Sequence, residues 1–148
     1  LNKVSALQQQ GLDLDPNRVY ADKQQHTEEH IHCASWNPGI PSRLRELAEK
    51  YNLALASNAR SRFVYDMIAR AGLTHFNCIL TADFARLEQR KPNPYLFLEC
   101  MRILNSKPED TVIFEDSDVG IRAGISANVK SVVRVQDSTD TLLKLEDW

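Results

Sequence analysis

Four short apolar runs in the later part of the sequence alternate with segments of helical spacing. Hydrophobic residues follow one another within each run instead of alternating with polar ones, as in strands buried on both faces. The runs are Leu53–Ser57, Asn77–Ala82, Thr111–Asp116 and Lys130–Val135. Strands that alternate with helices are typical of parallel sheets built from βαβ units. The sequence therefore predicts an α/β fold with a three-layer α/β/α core around a parallel, Rossmann-like sheet.

The beginning of the chain has a different pattern, polar with scattered apolar residues. The stretch "DPNRVYADK" predicts a helix start, with Asp15 as N-cap and Pro16 at the first helical position. The stretch "NPGIP", residues 37–41, interrupts the chain. We therefore predict two regions, a helical segment over residues 1–36 and an α/β core over residues 37–148.

Composition argues against several classes of partner. The 148 residues are 43% hydrophobic and 26% charged, with a net charge of −2, which gives no reason to expect nucleic acid or an anionic membrane as a partner. No apolar run approaches the roughly 20 residues of a membrane helix, and the N-terminus lacks a signal peptide's apolar segment. Cys33, Cys78 and Cys100 form no CxxC pair, which predicts reduced, buried thiols in a cytoplasmic protein.

Polar residues suited to phosphate chemistry follow three of the predicted elements, at the sheet edge where parallel α/β folds bind ligands. Ser57 and Asn58 end the first run, Lys91 follows the second, and Glu115 and Asp116 end the third. A hydroxyl, helix N-terminal amides and a lysine suit an anion. Paired carboxylates suit Mg²⁺, which proteins hold through one or two carboxylates and substrate phosphate oxygens. The sequence predicts a magnesium-assisted phosphate site.

Each of these residues taken alone has a simpler interpretation. Ser57 could cap the helix that follows it, and Lys91 could be a solvated lysine. Glu115 and Asp116 could cap the next helix. The prediction of a shared site therefore rests on their order along the chain and on their placement at strand ends.

Several stretches resemble the haloacid dehalogenase superfamily, specifically its helical-cap phosphatase and β-phosphoglucomutase-like branch. "LALASNA", "RKPNPYLF" and "VIFEDSDVGIRAG" resemble the second, third and fourth motifs of that family. "GLDLDPNRVYADK" resembles the late helices of its cap, and "PGIPSRLRELAEKYN" the helix that returns to the core. The resemblance implies a Mg²⁺-dependent phosphatase or phosphomutase that acts on a small phosphorylated metabolite, such as a sugar phosphate.

The resemblance also implies a role for each matching residue. Ser57 would bind the phosphoryl group through its hydroxyl, together with the backbone N–H of Asn58. Lys91 would neutralise developing negative charge and pair with the nucleophile. Asp116 would coordinate Mg²⁺, and Glu115 would hold the metal directly or through water.

The family's first motif has no clear counterpart in the sequence. It is an apolar strand followed by Asp-x-Asp-Gly, which supplies the nucleophile and would precede the cap. Asp13–Asp15 imitates it, but "ALQQQG" before it is no buried strand and Pro16 replaces the glycine, so a loop between cap helices fits better. The resemblance thus implies that these residues lack a mid-sheet strand and the nucleophile. They would form a fragment of an enzyme, or a non-catalytic module that binds phosphate or metal.

Two further interpretations compete with a phosphate site. "HTEEH", from His26 to His30, matches the H-x-x-E-H pattern of inverted zinc peptidases, but a solvated polar helix fits it better because a peptidase needs a further acidic ligand and a cleft. A 2-haloacid dehalogenase would tolerate Ser57-Asn58 but needs no metal. The acidic pair Glu115-Asp116 therefore favours phosphate chemistry.

Overall fold

The computed structural model describes residues 2–33 and 37–148. The helices are α1 (Asn2–Gln9), α2 (Pro16–His30), α3 (Gly39–Ala48), α4 (Ser61–Ala71), α5 (Tyr95–Leu104), α6 (Asp118–Ser126) and α7 (Ser138–Glu146). The strands are β1 (Ala54–Ala56), β2 (Cys78–Leu80), β3 (Val112–Glu115) and β4 (Ser131–Arg134). Short 3-10 turns cover Ile31–Cys33, Ala82–Phe84, Leu87–Gln89 and Pro108–Asp110. All four predicted strands are confirmed.

The chain divides into two compact units. The first is Leu1–Ala34 and contains α1 and α2, and the second is Ser35–Trp148 and contains all four strands. The predicted boundary after Trp36 lies outside the described residues. The predicted break at residues 37–41 is itself partly helical, because α3 already begins at Gly39.

The strands pair in parallel, as predicted, but they form two separate two-stranded sheets. Ala54 to Ala56 of β1 lie opposite Cys78 to Leu80 of β2. Val112 to Glu115 of β3 lie opposite Ser131 to Arg134 of β4. Within the described ranges no ladder joins β1 to β3, so each of these two strands has one edge without a partner strand. The fold class is α/β with parallel strands.

Local signals in the sequence explain where several helices begin and end. The Asp15 side chain accepts a hydrogen bond from the Asn17 backbone N–H at the start of α2, as predicted for an N-cap. α4 ends at Gly72, whose left-handed backbone (φ 63°) favours glycine. α7 was not predicted from the sequence, although Asp137 caps it by accepting from the Thr139 and Asp140 backbone N–H groups.

Helix α5 connects the two strand pairs through the hydrophobic core. One of its faces lies in a cluster with β3 and α6, and another lies in a cluster with β2. The buried members of the first cluster are Phe97, Met101, Ile113, Ala123 and Ala127, and those of the second are Cys78, Leu80, Leu96 and Cys100. Ala56 of β1 packs against both clusters. The core therefore holds the two sheets together although no backbone ladder does.

The prediction of buried thiols is right for two cysteines and wrong for the third. Cys78 and Cys100 are buried with their sulfur atoms 3.9 Å apart, and burial together with the neighbouring Cys78 thiol raises the pKa of Cys100 to about 12. Cys33 is exposed, because it lies in a 3-10 turn directly after the polar helix α2. All three are free thiols.

Within residues 2–33 and 37–148, no helix is both long enough and apolar enough to cross a membrane.

Candidate phosphate and metal site

A pocket of about 710 Å³ opens between the carboxyl ends of β1 and β3. Its walls include Leu55 and Ala56 from β1 and Phe114 from β3. The five residues predicted to form a phosphate and metal site all line it: Ser57, Asn58, Lys91, Glu115 and Asp116. The structure therefore brings together side chains from three separate segments of the sequence.

Lys91 joins the two strand pairs at this pocket. Its ammonium group donates one hydrogen bond to the backbone carbonyl of Ala56 (2.9 Å) and one to the Glu115 carboxylate (2.6 Å). The ammonium also lies 4.5 Å from the centre of the Phe97 ring, where a cation is attracted to the ring face. The Lys91 side chain is only 7% exposed. Its interpretation as a solvated lysine is therefore wrong.

Asn58 holds the backbone of Lys91 in place. The Asn58 side-chain amide donates to the Lys91 carbonyl (3.0 Å), and its oxygen accepts from the Lys91 N–H (3.0 Å). These two bonds tie the segment after β1 to the segment that carries the lysine. The Asn58 side chain thus has a positioning role that the sequence did not indicate.

Glu115 is a buried carboxylate with both oxygens engaged. One oxygen accepts from Lys91, and the other accepts from the backbone N–H (3.1 Å) and the hydroxyl (2.7 Å) of Ser117. Burial opposes ionisation of Glu115, but the hydrogen bonds from Lys91 and Ser117 and the charge of Lys91 outweigh it. They lower the pKa of Glu115 below its ordinary value. Glu115 is therefore an ionised partner of Lys91.

Gly120 makes room for this carboxylate. A Cβ atom at Gly120 would overlap the Glu115 carboxyl group, so a larger residue at this position would displace that carboxylate. The Ser117 hydroxyl, which donates to Glu115, also accepts from the Gly120 N–H (3.1 Å) and so caps α6. The roles of Ser117 and Gly120 beside Glu115 were not predicted from the sequence. A serine and a glycine at the start of a helix, directly after two carboxylates, could have indicated them. The interpretation of Glu115 and Asp116 as the caps of α6 is wrong.

Asp116 is the less constrained member of the acidic pair. Partial burial, hydrogen bonding with Glu115 and the negative charge of Glu115 raise the pKa of Asp116 above its ordinary value. A cation near Asp116 would favour its ionised form, and carboxylate oxygens are the ligands that Mg²⁺ takes in proteins. The residues present at this end of the pocket therefore fit a magnesium ion.

Ser57 continues directly from β1 into the pocket. Its backbone N–H donates to the Leu80 carbonyl (2.9 Å), which extends the pairing with β2. Its hydroxyl oxygen accepts from the Ala59 backbone N–H (3.1 Å). The residue that precedes α4 is Arg60, so Ser57 does not cap that helix.

Two other acidic stretches have structural explanations. Asp118 pairs with Arg134 (2.6 Å) on the surface. Asp13–Asp15 lies between α1 and α2, where Asp15 caps α2. This agrees with a loop between helices and not with a nucleophile motif at the end of a buried strand.

Comparison with known proteins places this arrangement in a family. The model of the haloacid dehalogenase-like hydrolase family matches residues 3–134. A phosphorylated carbohydrates phosphatase of Thermotoga maritima is 32% identical over 104 residues, which are 69% of this chain and 47% of that protein. The fructose-1-phosphate phosphatase of Escherichia coli is 27% identical over 125 residues, 81% of this chain and 63% of that enzyme. The chain spans about half the length of the curated relatives it matches.

A solved structure shows the same fold. The crystal structure of a conserved haloacid dehalogenase-like protein of unknown function from Agrobacterium tumefaciens superimposes with a TM-score of 0.76. The two sequences are 19% identical, and the superposition covers 97% of this chain and 68% of that one. Family model, curated relatives and fold agree, and the chain belongs to the haloacid dehalogenase-like hydrolase family.

Proposed function

We propose that this chain forms the phosphoryl-binding core of a Mg²⁺-dependent phosphatase or phosphomutase that acts on a small phosphorylated metabolite. The observation that carries the proposal is the position of Lys91. A buried ammonium stands between the carboxyl ends of β1 and β3, in the pocket that also contains Ser57, Asn58, Glu115 and Asp116. A fixed cation beside hydroxyl, amide and carboxylate groups suits the binding of a phosphoryl group.

The chain's own residues would act by binding and orienting the phosphoryl group. An ammonium group has three donors, and two of those on Lys91 are directed at Ala56 and Glu115. We assign the third to a phosphoryl oxygen. The hydroxyl of Ser57 and the backbone N–H of Asn58 would contact the other oxygens. Glu115 would then fix the direction of the ammonium.

Asp116 would be the main protein ligand of the metal. Both Glu115 oxygens already accept hydrogen bonds, from Lys91 and Ser117. We therefore propose that Glu115 contacts the metal through a water molecule, or through an oxygen that also accepts one of these bonds. When bound, Mg²⁺ would neutralise the charge of the transferring phosphoryl group.

The relatives support a proposal for the substrate class. Two of them are phosphatases of phosphorylated carbohydrates and of fructose 1-phosphate. We propose a sugar phosphate as substrate and a cytoplasmic location. In a phosphatase the final acceptor of the phosphoryl group is water, and in a phosphomutase it is a sugar hydroxyl.

The nucleophile is the part of the reaction that these residues do not explain. In the proposed reaction an aspartate oxygen attacks phosphorus, the ester oxygen leaves with the alcohol, and the acceptor then cleaves the aspartyl phosphate. Among residues 2–33 and 37–148, three carboxylates line the pocket. Glu115 is bonded to Lys91, Asp116 is assigned to the metal and Asp137 caps α7. This favours a second candidate function, in which residues 1–148 alone bind phosphate and metal without turnover.

Calorimetric titration with Mg²⁺ tests the metal site. We expect Asp116→Asn to abolish Mg²⁺ binding, because it removes the negative charge that faces the ion. The matched control is Glu88→Gln, which removes an exposed carboxylate outside the pocket and should leave binding unchanged. Equal binding by wild type and Asp116→Asn would refute the metal assignment.

Hydrolysis of p-nitrophenyl phosphate and sugar phosphates tests the second candidate function. We expect the 148-residue chain to show no turnover above a buffer control with Mg²⁺, since removal of a covalent nucleophile leaves only a small residual rate. A robust rate that disappears in Asp13→Asn or Asp15→Asn would contradict this and make that triplet the nucleophile motif.

A further inference from the structure

Helix α2 carries three side chains with metal-binding atoms on one face. His26, Glu29 and His30 each offer a ligand atom, and these atoms all lie within 4.8 Å of one another. Residues three and four apart on a helix are neighbours on its surface. The two imidazole rings are 4.0 Å apart between centroids. All three residues are exposed, so an ion could reach them from solvent.

Hydrogen bonds at this cluster leave a ligand atom available on two of the residues. Nδ1 of His30 lies 2.9 Å from the backbone carbonyl of His26. A carbonyl can only accept, so Nδ1 carries the proton and Nε2 keeps its lone pair. This is the arrangement found around histidines that bind metals, which donate their other ring nitrogen to a carbonyl or carboxylate.

A hydrogen bond also orients the carboxylate of the cluster, Glu29. The Gln25 side-chain amide donates to Oε1 of Glu29 (2.8 Å), which leaves Oε2 for another partner. The cluster therefore combines two imidazoles with a carboxylate whose orientation is fixed by an outer hydrogen bond.

The ligand types select the class of metal. Imidazole nitrogen suits Zn²⁺, Cu²⁺ and Ni²⁺, whereas Mg²⁺ prefers sites made only of oxygen. Three protein ligands with water in the fourth position are a common Zn²⁺ arrangement. This distinguishes the cluster on α2 from the pocket between β1 and β3, where the carboxylates of Glu115 and Asp116 offer oxygen ligands.

We propose that His26, Glu29 and His30 form a surface site for Zn²⁺ on α2. The site binds the ion without hydrolytic chemistry. It links side chains one helical turn apart and thereby stabilises α2, since an ion that binds only the folded helix favours that state by mass action. The sequence pattern that suggests a zinc peptidase thus corresponds here to a binding site.

The test is a Zn²⁺ titration of the 148-residue chain against a chromophoric chelator, in the presence of excess Mg²⁺. The protein carries Cys33→Ser, because the exposed thiol follows α2 and could bind zinc itself. We expect one Zn²⁺ per chain, and an affinity at least about ten-fold lower in His26→Ala and His30→Ala. Loss of a residue that only hydrogen-bonds to a metal ligand already lowers metal affinity about ten-fold, so loss of a ligand itself should cost at least as much. Glu29→Gln should weaken binding less. His75→Ala, which removes a histidine outside the cluster, should leave it unchanged.

A second measurement locates the ion. Zn²⁺ should shift the ring ¹⁵N resonances of His26 and His30 in NMR spectra of the same protein, and leave those of His75 in place. Circular dichroism of each variant checks that α2 still forms. Affinity that is unchanged in the His26→Ala/His30→Ala double variant, or ring shifts confined to other histidines, would overturn the proposal.

Discussion

Two ion pairs near the end of β3 have the same length and different surroundings. Lys91 and Glu115 are 2.6 Å apart with side chains 7% and 9% exposed. Arg134 and Asp118 are also 2.6 Å apart, but their side chains are 51% and 80% exposed. Distance alone would rate the two pairs as equal.

Their surroundings show why they are not. The buried pair is supported by the Ala56 carbonyl, the Phe97 ring and the two donors of Ser117. An exposed pair is weakened by water and salt and contributes little. A buried pair loses hydration that only its own partners replace, so removal of one partner leaves an uncompensated charge. The buried pair therefore cannot lose one member without a loss of stability, whereas the surface pair can.

Lys91→Met should therefore have the largest effect on stability. It leaves Glu115 buried without its cation, and we expect the free energy of unfolding to fall by about 3 kcal/mol, the lower end of the range for breaking a buried pair. The lower end applies because Lys91 and Glu115 line an open pocket. Urea denaturation followed by circular dichroism measures the change. A loss no larger than that of a surface substitution would show that water already compensates Glu115.

A double variant separates two contributions to stability: the attraction within the pair, and the cost of leaving Glu115 buried without a cation. Lys91→Met/Glu115→Leu removes both charges, and replacement of a buried pair by apolar residues is often neutral. We expect it to be more stable than Lys91→Met alone, although neither variant should bind phosphate. If the double variant were the less stable of the two, the loss in Lys91→Met would come from packing around the methylene chain.

Local signals account for what the sequence predicted correctly. Uninterrupted apolar runs located all four strands, and Asp15 with Pro16 located the start of α2. The site residues could be grouped because parallel strands present their carboxyl ends at one edge. Their roles in binding phosphate and Mg²⁺ are still predictions.

Non-local packing accounts for what the sequence did not predict. The space for the Glu115 carboxylate depends on Gly120, and that contact exists only once α6 lies against β3. The reciprocal bonds between Asn58 and Lys91 join positions 33 residues apart.

Gly120→Ala should have the next largest effect on stability, because it displaces one member of the buried pair without removing either charge. The new methyl group would push the Glu115 carboxylate away from Lys91. We expect a loss of about 1–2 kcal/mol in urea denaturation, within the range for overpacking and after the gain in helix propensity. The control is Ser126→Ala on the same helix, where the side chain is exposed. A substitution at an exposed position changes little, so the control should be nearly neutral. Equal losses in both variants would mean that Glu115 is not held at Gly120.

The smallest effect should come from the surface pair. Arg134→Gln removes its positive charge but keeps most of the side chain's length, and Asp118 stays hydrated because its side chain is 80% exposed. We expect no change in the free energy of unfolding beyond the error of urea denaturation. Repeating both measurements in 0.5 M NaCl, where the Debye length falls to a few ångströms, should remove any residual difference between wild type and Arg134→Gln. The loss in Lys91→Met should persist in that salt, because ions do not screen a buried charge as they screen an exposed one. A salt-resistant loss in Arg134→Gln comparable to that of Lys91→Met would show that burial does not decide the strength of these two pairs.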